Sequence, residues 1–296
     1  MKRAFLGFIK PRLTYEAITD TQADPVYILP SRQTQYLLKT PLEQSGDLSL
    51  AVGDRVSRGQ RIRVAEEAED YALAARSGKI TAIKPFLGMM QAKMTAVTIA
   101  VDAEADQKAN EEFKEQGQTP GLANAARFLQ GLPGKPDFSV FSDPNRRIQA
   151  IVVLGADRDL LSTTNQYFVK TGIESIKTGI DMLRQITGIH NVILAVPAHL
   201  VQEAGASGAV VKTVDSEYPG AHPDLIVRKV LADELDAGTA GSKADVAFFS
   251  AEAVSAIGAA FNTGQPPLEK LVSFISKNGK MQLVSTPIGT PLQDIL

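Results

Sequence analysis

Short apolar runs alternate with amphipathic stretches along the second half of the chain. Residues 151–157, IVVLGAD, are an apolar run that ends in a glycine and an acid, as is typical of a buried parallel strand that reaches a ligand-binding sheet edge. Residues 172–188 then carry isoleucine and leucine at the spacing of one helical face. The alternation predicts a parallel sheet with crossover helices. Further strands are predicted at 190–197, 209–220 and 244–250, and further helices at 222–235 and 251–264.

The pattern over residues 31–101 is different, because short β-like runs follow one another without helices between them. Two similar halves, at 49–66 and 72–83, each contain glycine turns. This arrangement resembles the lipoyl and biotinyl barrel-sandwich hybrid. A swinging-arm carrier of that kind needs a lysine on the hairpin between the halves, and the hairpin at 66–74 reads EEAEDYALA. We therefore expect a rigid β domain that carries no cofactor arm.

The remaining segments complete the predicted organisation. Residues 265–296 contain Asn278-Gly279 between two apolar runs, which indicates a β-hairpin. Residues 102–120 are charged and have few apolar positions, as in a linker or an exposed helix. The predicted boundaries are an arm at 1–30, a β domain at 31–101, a linker and loop region at 102–148, an α/β domain at 149–264 and a C-terminal β module at 265–296.

Composition excludes several classes of function. The 296 residues are 44% hydrophobic, which is enough for more than one folding unit. The net charge of -2 argues against a nucleic-acid partner. The chain has no cysteine, so it forms no disulfide and binds no cysteine-ligated cluster, and its three histidines lack the spacing of a metal site. No apolar run approaches the roughly 20 residues of a membrane helix, and we expect a cytoplasmic protein.

Four segments of the second half carry a resemblance to a known family. They are IVVLGAD at 151–157, SEYPGAHPDLIVRKVL at 216–231, VAFFSAEAVSAIGAAFNTGQPPLEKLVSF at 246–274 and LVSTPIGTPLQDIL at 283–296. In order and spacing they resemble the C subunit of the Rnf electron-transport complex, a relative of the flavin- and NADH-binding subunit of respiratory complex I and of the A subunit of the sodium-pumping NADH:quinone reductase. The resemblance implies an α/β protein with an N-terminal barrel-sandwich hybrid, a central Rossmann-like domain with a mostly parallel sheet, and a C-terminal β-grasp module of the soluble-ligand-binding type.

Departures from the family pattern concentrate at the elements that hold FMN. The glycine-rich flavin loop, G-x-G-G-A-G-F-P in the family, corresponds to GLANAARFLQG at 121–131, whose side chains we expect to obstruct the flavin. The strand end N-G-A-E-x-E-P corresponds to LGADRDL at 154–160, where leucine cannot donate amide hydrogen bonds. The strand end N-N-V-x-T corresponds to FFSAE at 248–252, which brings an acid to the phosphate position. The family's cysteine-rich ferredoxin domain has no counterpart in this cysteine-free chain.

These departures favour a cofactor-free accessory subunit of a membrane-associated electron-transfer complex. We expect no catalytic residue, no metal ligand and no resident cofactor. The implied partners are other subunits of the complex, including a membrane subunit that would hold this chain peripherally at the inner membrane. Any remnant of the flavin site would be formed by Gly155, Asp157, Asp159, Tyr218 and Ser250.

Two alternative functions remain open at this point. In the first, the same five residues line a rearranged flavin site that oxidises NADH. In the second, the chain binds a quinone or another small ligand, with Leu154, Phe248 and Phe249 lining an apolar pocket. We favour a structural role for these three side chains, as core that fills the former flavin volume. We also expect Arg158 to pair with a neighbouring acid and form a structural turn.

Overall fold

The computed structural model describes residues 12–20, 24–30, 32–44, 48–68, 70–102, 113–231 and 246–296. The chain forms an N-terminal β domain, a four-stranded parallel sheet covered by helices, and a three-stranded sheet near the C-terminus. The predicted alternation of strands and helices in the second half is confirmed. The charged stretch expected to be a linker lies largely outside the described residues.

The N-terminal β domain is built from short antiparallel pairs around one apolar core. Its main sheet has the strand order β2-β7-β6-β3, and β4 pairs with β5. The hydroxyl of Tyr36 lies in this core and accepts a hydrogen bond from the Ala75 amide at 2.8 Å. The strands are β2 (Gln33–Leu38), β3 (Arg55–Val56), β4 (Arg61–Ile62), β5 (Ala72–Leu73), β6 (Gly78–Leu87) and β7 (Lys93–Val101).

The central sheet is entirely parallel, with the strand order β10-β9-β8-β11. Its two central strands are buried on both faces, which explains their continuous apolar runs. The strands are β8 (Ala150–Leu154), β9 (Val192–Val196), β10 (Val210–Thr213) and β11 (Val246–Ser250). The helices are α1 (Leu122–Phe128), α2 (Thr164–Thr171), α3 (Ile173–Thr187), α4 (Val201–Ala204), α5 (Pro223–Lys229) and α6 (Ala251–Thr263).

Helices α3 and α6 pack against each other through glycine. A Cβ atom at Gly179 would lie 2.0 Å from the Val254 carbonyl oxygen, and one at Gly258 would lie 1.8 Å from the Ser175 carbonyl oxygen. These distances leave no room for a side chain, so the two backbones are in direct contact. The apolar face of α3 predicted from the sequence is buried here.

The C-terminal sheet contains the predicted hairpin and one strand that the sequence did not indicate. Strands β12 (Glu269–Ile275) and β13 (Met281–Pro287) are antiparallel, and Gly279 in their turn has a φ of 80°. Strand β1 (Val26–Tyr27), from the predicted arm, adds to β13 in parallel. Helix α7 (Leu292–Ile295) follows. The arm and the C-terminal module therefore share one sheet.

Because α3 and α6 are in backbone contact, we predict that one added methyl group at the contact lowers the stability of the protein. We expect Gly179→Ala to lower the free energy of unfolding by about 3 kcal/mol, because the backbones must separate. Gly205→Ala is the matched control, since Gly205 has helical dihedral angles and a Cβ atom added there would meet no other atom within 4 Å. Urea denaturation measures both. Equal stability of the two variants would contradict the packing described.

Candidate functional site

The carboxyl ends of the four parallel strands form the edge at which α/β sheets bind ligands. Strand β8 ends here at Leu154, next to the ends of β9 and β11. The structure brings four of the five residues predicted from the sequence to the loops that follow the strands: Gly155, Asp157, Asp159 and Tyr218. Ser250, the fifth, is the last residue of β11. The contacts of each residue show what it does at this edge.

Asp157 is buried, and its carboxylate is occupied by hydrogen bonds from the chain itself. Oδ1 accepts from the hydroxyls of Ser162 and Thr164 and from the Asn165 amide, each at 3.0 Å. Oδ2 accepts from the backbone amide of Gln166 at 3.3 Å and from its side-chain amide at 3.4 Å. The carboxylate thus accepts hydrogen bonds from the first turn of α2. The amides there have no partner within the helix, and together with the helix dipole they favour a negative charge.

The expected pairing of Arg158 with Asp157 or Asp159 is not found among the described residues. Both oxygens of Asp157 face the start of α2, while Arg158 and Asp159 are exposed. The turn is structural, as expected, but hydrogen bonds to the helix carry it.

Gln166 connects this network to the N-terminal arm. It is buried, and its Nε2 donates to the Glu16 carbonyl oxygen at 2.9 Å, while its Oε1 accepts from the Ile18 amide at 3.1 Å. Nε2 of His199 lies 3.1 Å from the same Oε1. Desolvation lowers the pKa of His199 below its ordinary value, and Nε2 is the donor in this contact because an amide oxygen only accepts. No sequence motif marked Gln166, because its partners are far away along the chain.

The arm runs across the sheet edge between the loops. Its backbone is held by hydrogen bonds from the Tyr15 amide to the Ser216 carbonyl at 3.1 Å, from the Glu16 amide to the Leu160 carbonyl at 2.8 Å, and from the Tyr218 amide to the Leu13 carbonyl at 2.7 Å. The rings of Tyr15 and Tyr218 are 6.0 Å apart. Tyr218 therefore contacts the arm, where the sequence predicted a remnant of a ligand site.

Gly155 and Ser250 have local structural roles. A Cβ atom at Gly155 would lie 2.7 Å from Val196 and 2.8 Å from Val169, so the glycine allows strand and helix to pack closely. The Ser250 hydroxyl accepts from the Ala253 amide at 3.1 Å and caps the N-terminus of α6. Glycine and serine are both common at ligand-binding sheet edges, but here each has a structural contact within the protein.

An ion pair lies at the N-terminus of α6, where the flavin phosphate was expected in relatives. Nζ of Lys270 hydrogen bonds to Oε2 of Glu252, whose side chain is buried. The Glu252 amide donates to Oδ1 of Asn165 at 3.4 Å, which links α6 to the Asp157 network. Glu252 Oε1 is also buried, and no hydrogen bond to it is found within the described part of the chain. A carboxylate and its own cation thus occupy this helix end.

The apolar residues considered as a quinone pocket lie in packed surroundings. Leu154 and Phe249 are buried, and the ring of Phe249 lies 5.5 Å from Phe138 and 6.3 Å from Phe141, centroid to centroid. Phe248 is partly buried and packs against the opposite core. These contacts support our expectation that the three side chains act as core.

The segment expected to replace the flavin loop folds into α1 and packs on the β domain. Arg61 lies over the ring of Phe128, 4.9 Å from its centroid. A Cβ atom at Gly131 would lie 2.6 Å from Tyr71, whose hydroxyl accepts from the Gly131 amide at 3.2 Å. Burial raises the pKa of Tyr71 to about 12. Gly131, which would flank a flavin in the family, therefore has a structural reason to be glycine: the ring of Tyr71 leaves no room for a side chain there.

FMN does not fit the residues at this edge. A bound flavin phosphate needs free backbone amides at a helix N-terminus and room for the backbone to approach it. At α2 those amides are bonded to Asp157, and at α6 the Ser250 hydroxyl takes one of them beside the carboxylate of Glu252. Within the described ranges there is also no cluster of three His, Asp or Glu side chains that could hold a metal ion.

Comparison with known proteins agrees with the N-terminal architecture. Residues 14–104 match the family model of the RnfC barrel-sandwich hybrid domain. These residues therefore form a domain similar to the RnfC barrel-sandwich hybrid domain. The C subunit of the ion-translocating oxidoreductase complex of Cronobacter sakazakii is 20% identical over 276 residues, covering 88% of this chain and 36% of that protein. The corresponding protein of Yersinia pseudotuberculosis is 22% identical over 282 residues, covering 86% and 40%.

The chain spans about two fifths of the length of the curated relatives it matches. Among solved structures, an NAD⁺-reducing [NiFe]-hydrogenase in the H2-reduced state matches with a TM-score of 0.42 and 11% identity, over 62% of this chain and 37% of that chain. No helix in the described ranges combines the length and apolar character needed to cross a membrane.

The Asp157 network predicts that a carboxylate at this position supports the fold. We expect Asp157→Asn to lower the free energy of unfolding by about 2–3 kcal/mol, because an amide replaces a charged acceptor of several hydrogen bonds. Asp159→Asn is the matched control, since the Asp159 side chain is exposed. Urea denaturation of both variants provides the comparison. An unchanged Asp157→Asn protein would show that this carboxylate is free for another role.

The ion pair at α6 predicts an asymmetric response to mutation. Lys270→Met leaves the Glu252 carboxylate buried without its cation, and we expect a loss of about 3 kcal/mol in the free energy of unfolding. The double variant Glu252→Leu/Lys270→Met removes both charges and should recover most of that loss. A double-mutant cycle by chemical denaturation measures the difference. Additive effects of the two substitutions would mean that the pair contributes nothing to the fold.

Proposed function

We propose that this chain is a cofactor-free accessory subunit of an electron-transfer complex of the Rnf type. The observation that carries the proposal is the N-terminal arm lying across the carboxyl edge of the parallel sheet, bonded to the loops after β8 and β10. An edge covered by its own chain serves as a scaffold and leaves its outer surface for contacts with other subunits. In this interpretation the central domain is Rossmann-like and the C-terminal sheet is the remnant of a β-grasp module.

The charges at this edge support the same proposal. Asp157 and Glu252 place two carboxylates at the two helix ends where a flavin phosphate would need positive potential. Each carboxylate is bonded internally, Asp157 by amides and hydroxyls and Glu252 by Lys270. Displacing them for a flavin would leave buried donors and a cation without partners, which costs free energy.

The partners follow from the relatives. The curated relatives are C subunits of an ion-translocating oxidoreductase complex. We propose that this chain binds other subunits of such a complex, including a membrane subunit, and that it is held peripherally at the inner membrane on the cytoplasmic side.

Purified protein tests the absence of a flavin directly. We expect protein isolated from its native host to have no flavin absorbance, and added FMN to keep its free fluorescence when titrated with the protein. Gentle purification without added cofactor guards against loss of a weakly bound flavin. Stoichiometric flavin in the isolated protein would overturn the proposal. NADH-dependent dye reduction by that protein would then establish the flavoenzyme alternative.

The role within a complex has its own test. Chemical cross-linking in native membranes, followed by mass spectrometry, should connect surface lysines of this chain to subunits of one redox complex. Cross-links to Lys79 and Lys212, on the β domain and the parallel sheet respectively, would define the orientation. A chain that remains uncross-linked and sediments alone would contradict the role.

A further inference from the structure

The hairpin formed by β6 and β7 extends beyond the sheet to which it belongs. Strand β3 pairs with β6 at Gly78 and Lys79, and β2 pairs with residues 95–100 of β7. Beyond the pair of Pro85 and Thr95 the hairpin runs on past these neighbours, and its strand pairing ends at Leu87 opposite Lys93. We call residues 85–93 the finger.

The finger exposes large apolar side chains at its tip. Met90 is 98% exposed, Met89 89% and Leu87 64%, and Phe86 is exposed as well. The eight residues PFLGMMQA at 85–92 contain no charge. Phe86 and Leu87 are consecutive strand residues, so their side chains point to opposite faces of the ribbon. Both faces of the ribbon therefore carry an exposed apolar side chain next to a turn that contains Gln91, and a one-sided protein contact would leave one of these faces in water.

The turn at the tip has an unfavourable backbone conformation. Met90 has φ 54° and ψ 30°, and Gln91 has φ 62°. The Ala92 amide donates to the Met89 carbonyl at 3.2 Å and closes a tight turn. Two-residue turns with positive φ favour Asn-Gly, and a left-handed residue with a side chain costs roughly 1–2 kcal/mol. A fully exposed methionine at such a position breaks two local rules at once, as is typical of functional sites.

Lysines flank the apolar tip on both strands. Lys84 precedes the finger, and Lys93 lies opposite Leu87 in the last strand pair before the turn. Lys93 forms an ion pair with Glu43 at 3.0 Å, with both side chains exposed, and such pairs contribute little and exchange readily. The chain from Leu87 to Met90 can reach at most roughly 10 Å beyond this last strand pair, and interfacial elements enter a bilayer by about 5–10 Å.

We propose that the finger inserts its tip into the interface of an anionic lipid bilayer. The apolar side chains would enter the boundary between headgroups and acyl chains, and Lys84 and Lys93 would contact acidic headgroups. A bilayer surrounds an inserted ribbon on every side, which matches a tip that is apolar on both faces. This is a direct membrane contact, and it holds whether or not the chain belongs to the proposed complex.

A single tryptophan reports the insertion, since the natural chain has none. Met90→Trp protein is mixed with vesicles of phosphatidylcholine and phosphatidylglycerol, and with vesicles of phosphatidylcholine alone. We expect the emission to shift to the blue with the anionic vesicles and to shift less with the neutral ones. Leu292→Trp is the matched control, because Leu292 is 66% exposed on the C-terminal helix, and its emission should remain unchanged.

Vesicle co-sedimentation tests the same contact without a reporter. Met90→Asn keeps a residue that tolerates the left-handed turn and removes the apolar side chain. We expect it to bind anionic vesicles at least tenfold more weakly, the equivalent of losing one buried methionine side chain. Leu292→Asn should bind like the unmodified chain, and thermal melting of each variant checks folding.

Three results would overturn the proposal. One is unchanged vesicle binding by Met90→Asn, which would assign the membrane contact to another segment. Another is the absence of vesicle binding by the unmodified chain. The third is a blue shift of Met90→Trp that requires a partner protein and is absent with lipid, which would mean that the finger enters a protein groove. None of these results bears on the flavin measurement, so the two proposals fail separately.

Discussion

The buried carboxylate of Asp157 is the interaction on which the rest of this structure depends. It lies at the carboxyl end of the central strand β8 and accepts hydrogen bonds from the first turn of α2. Gln166, held in place by that carboxylate, bonds to the arm through both ends of its side-chain amide. One carboxylate therefore fixes the start of α2 and, through Gln166, the position of the arm across the sheet edge. In a low-dielectric site, hydrogen bonds of this kind hold their partners in one arrangement.

The same edge shows that residue types common at ligand-binding sheet edges can have all their contacts within the protein. Gly155 packs between β9 and α2, Ser250 caps α6, and Glu252 is paired with Lys270. Each residue has the type found at a ligand edge, and each has an internal partner. Residue identity alone is consequently weak evidence for a site, because capping, close packing and ligand binding all select glycine, serine and acids.

Local patterns in the sequence predicted the local structure well. The isoleucines and leucines of 173–186 indicated a helix with one buried face, Asn278-Gly279 indicated the hairpin, and the two halves at 49–66 and 72–83 indicated the β domain. Periodicity and turn chemistry act over a few residues, so they can be recognised in a single sequence. The contacts that close the candidate site are not local: Ile18 bonds to Gln166 across 148 positions, and β1 pairs with β13 near the other end. A two-residue strand has no periodicity, and the partners of a glutamine cannot be inferred from its neighbours.

The pairing of β1 with β13 joins a strand made early in synthesis to one made near its end. The Thr286 hydroxyl donates to the Ile28 carbonyl, a contact that spans 258 positions, so the arm leaves the ribosome long before its sheet partner exists. Before β13 is made, residues 13–18 of the arm already have their partners in α2 and in the loops after β8 and β10. The arm therefore joins the protein in two steps, first at the edge of the parallel sheet and later, through β1, in the C-terminal sheet. Between the two steps, β1 lacks the strand with which it pairs in the finished protein.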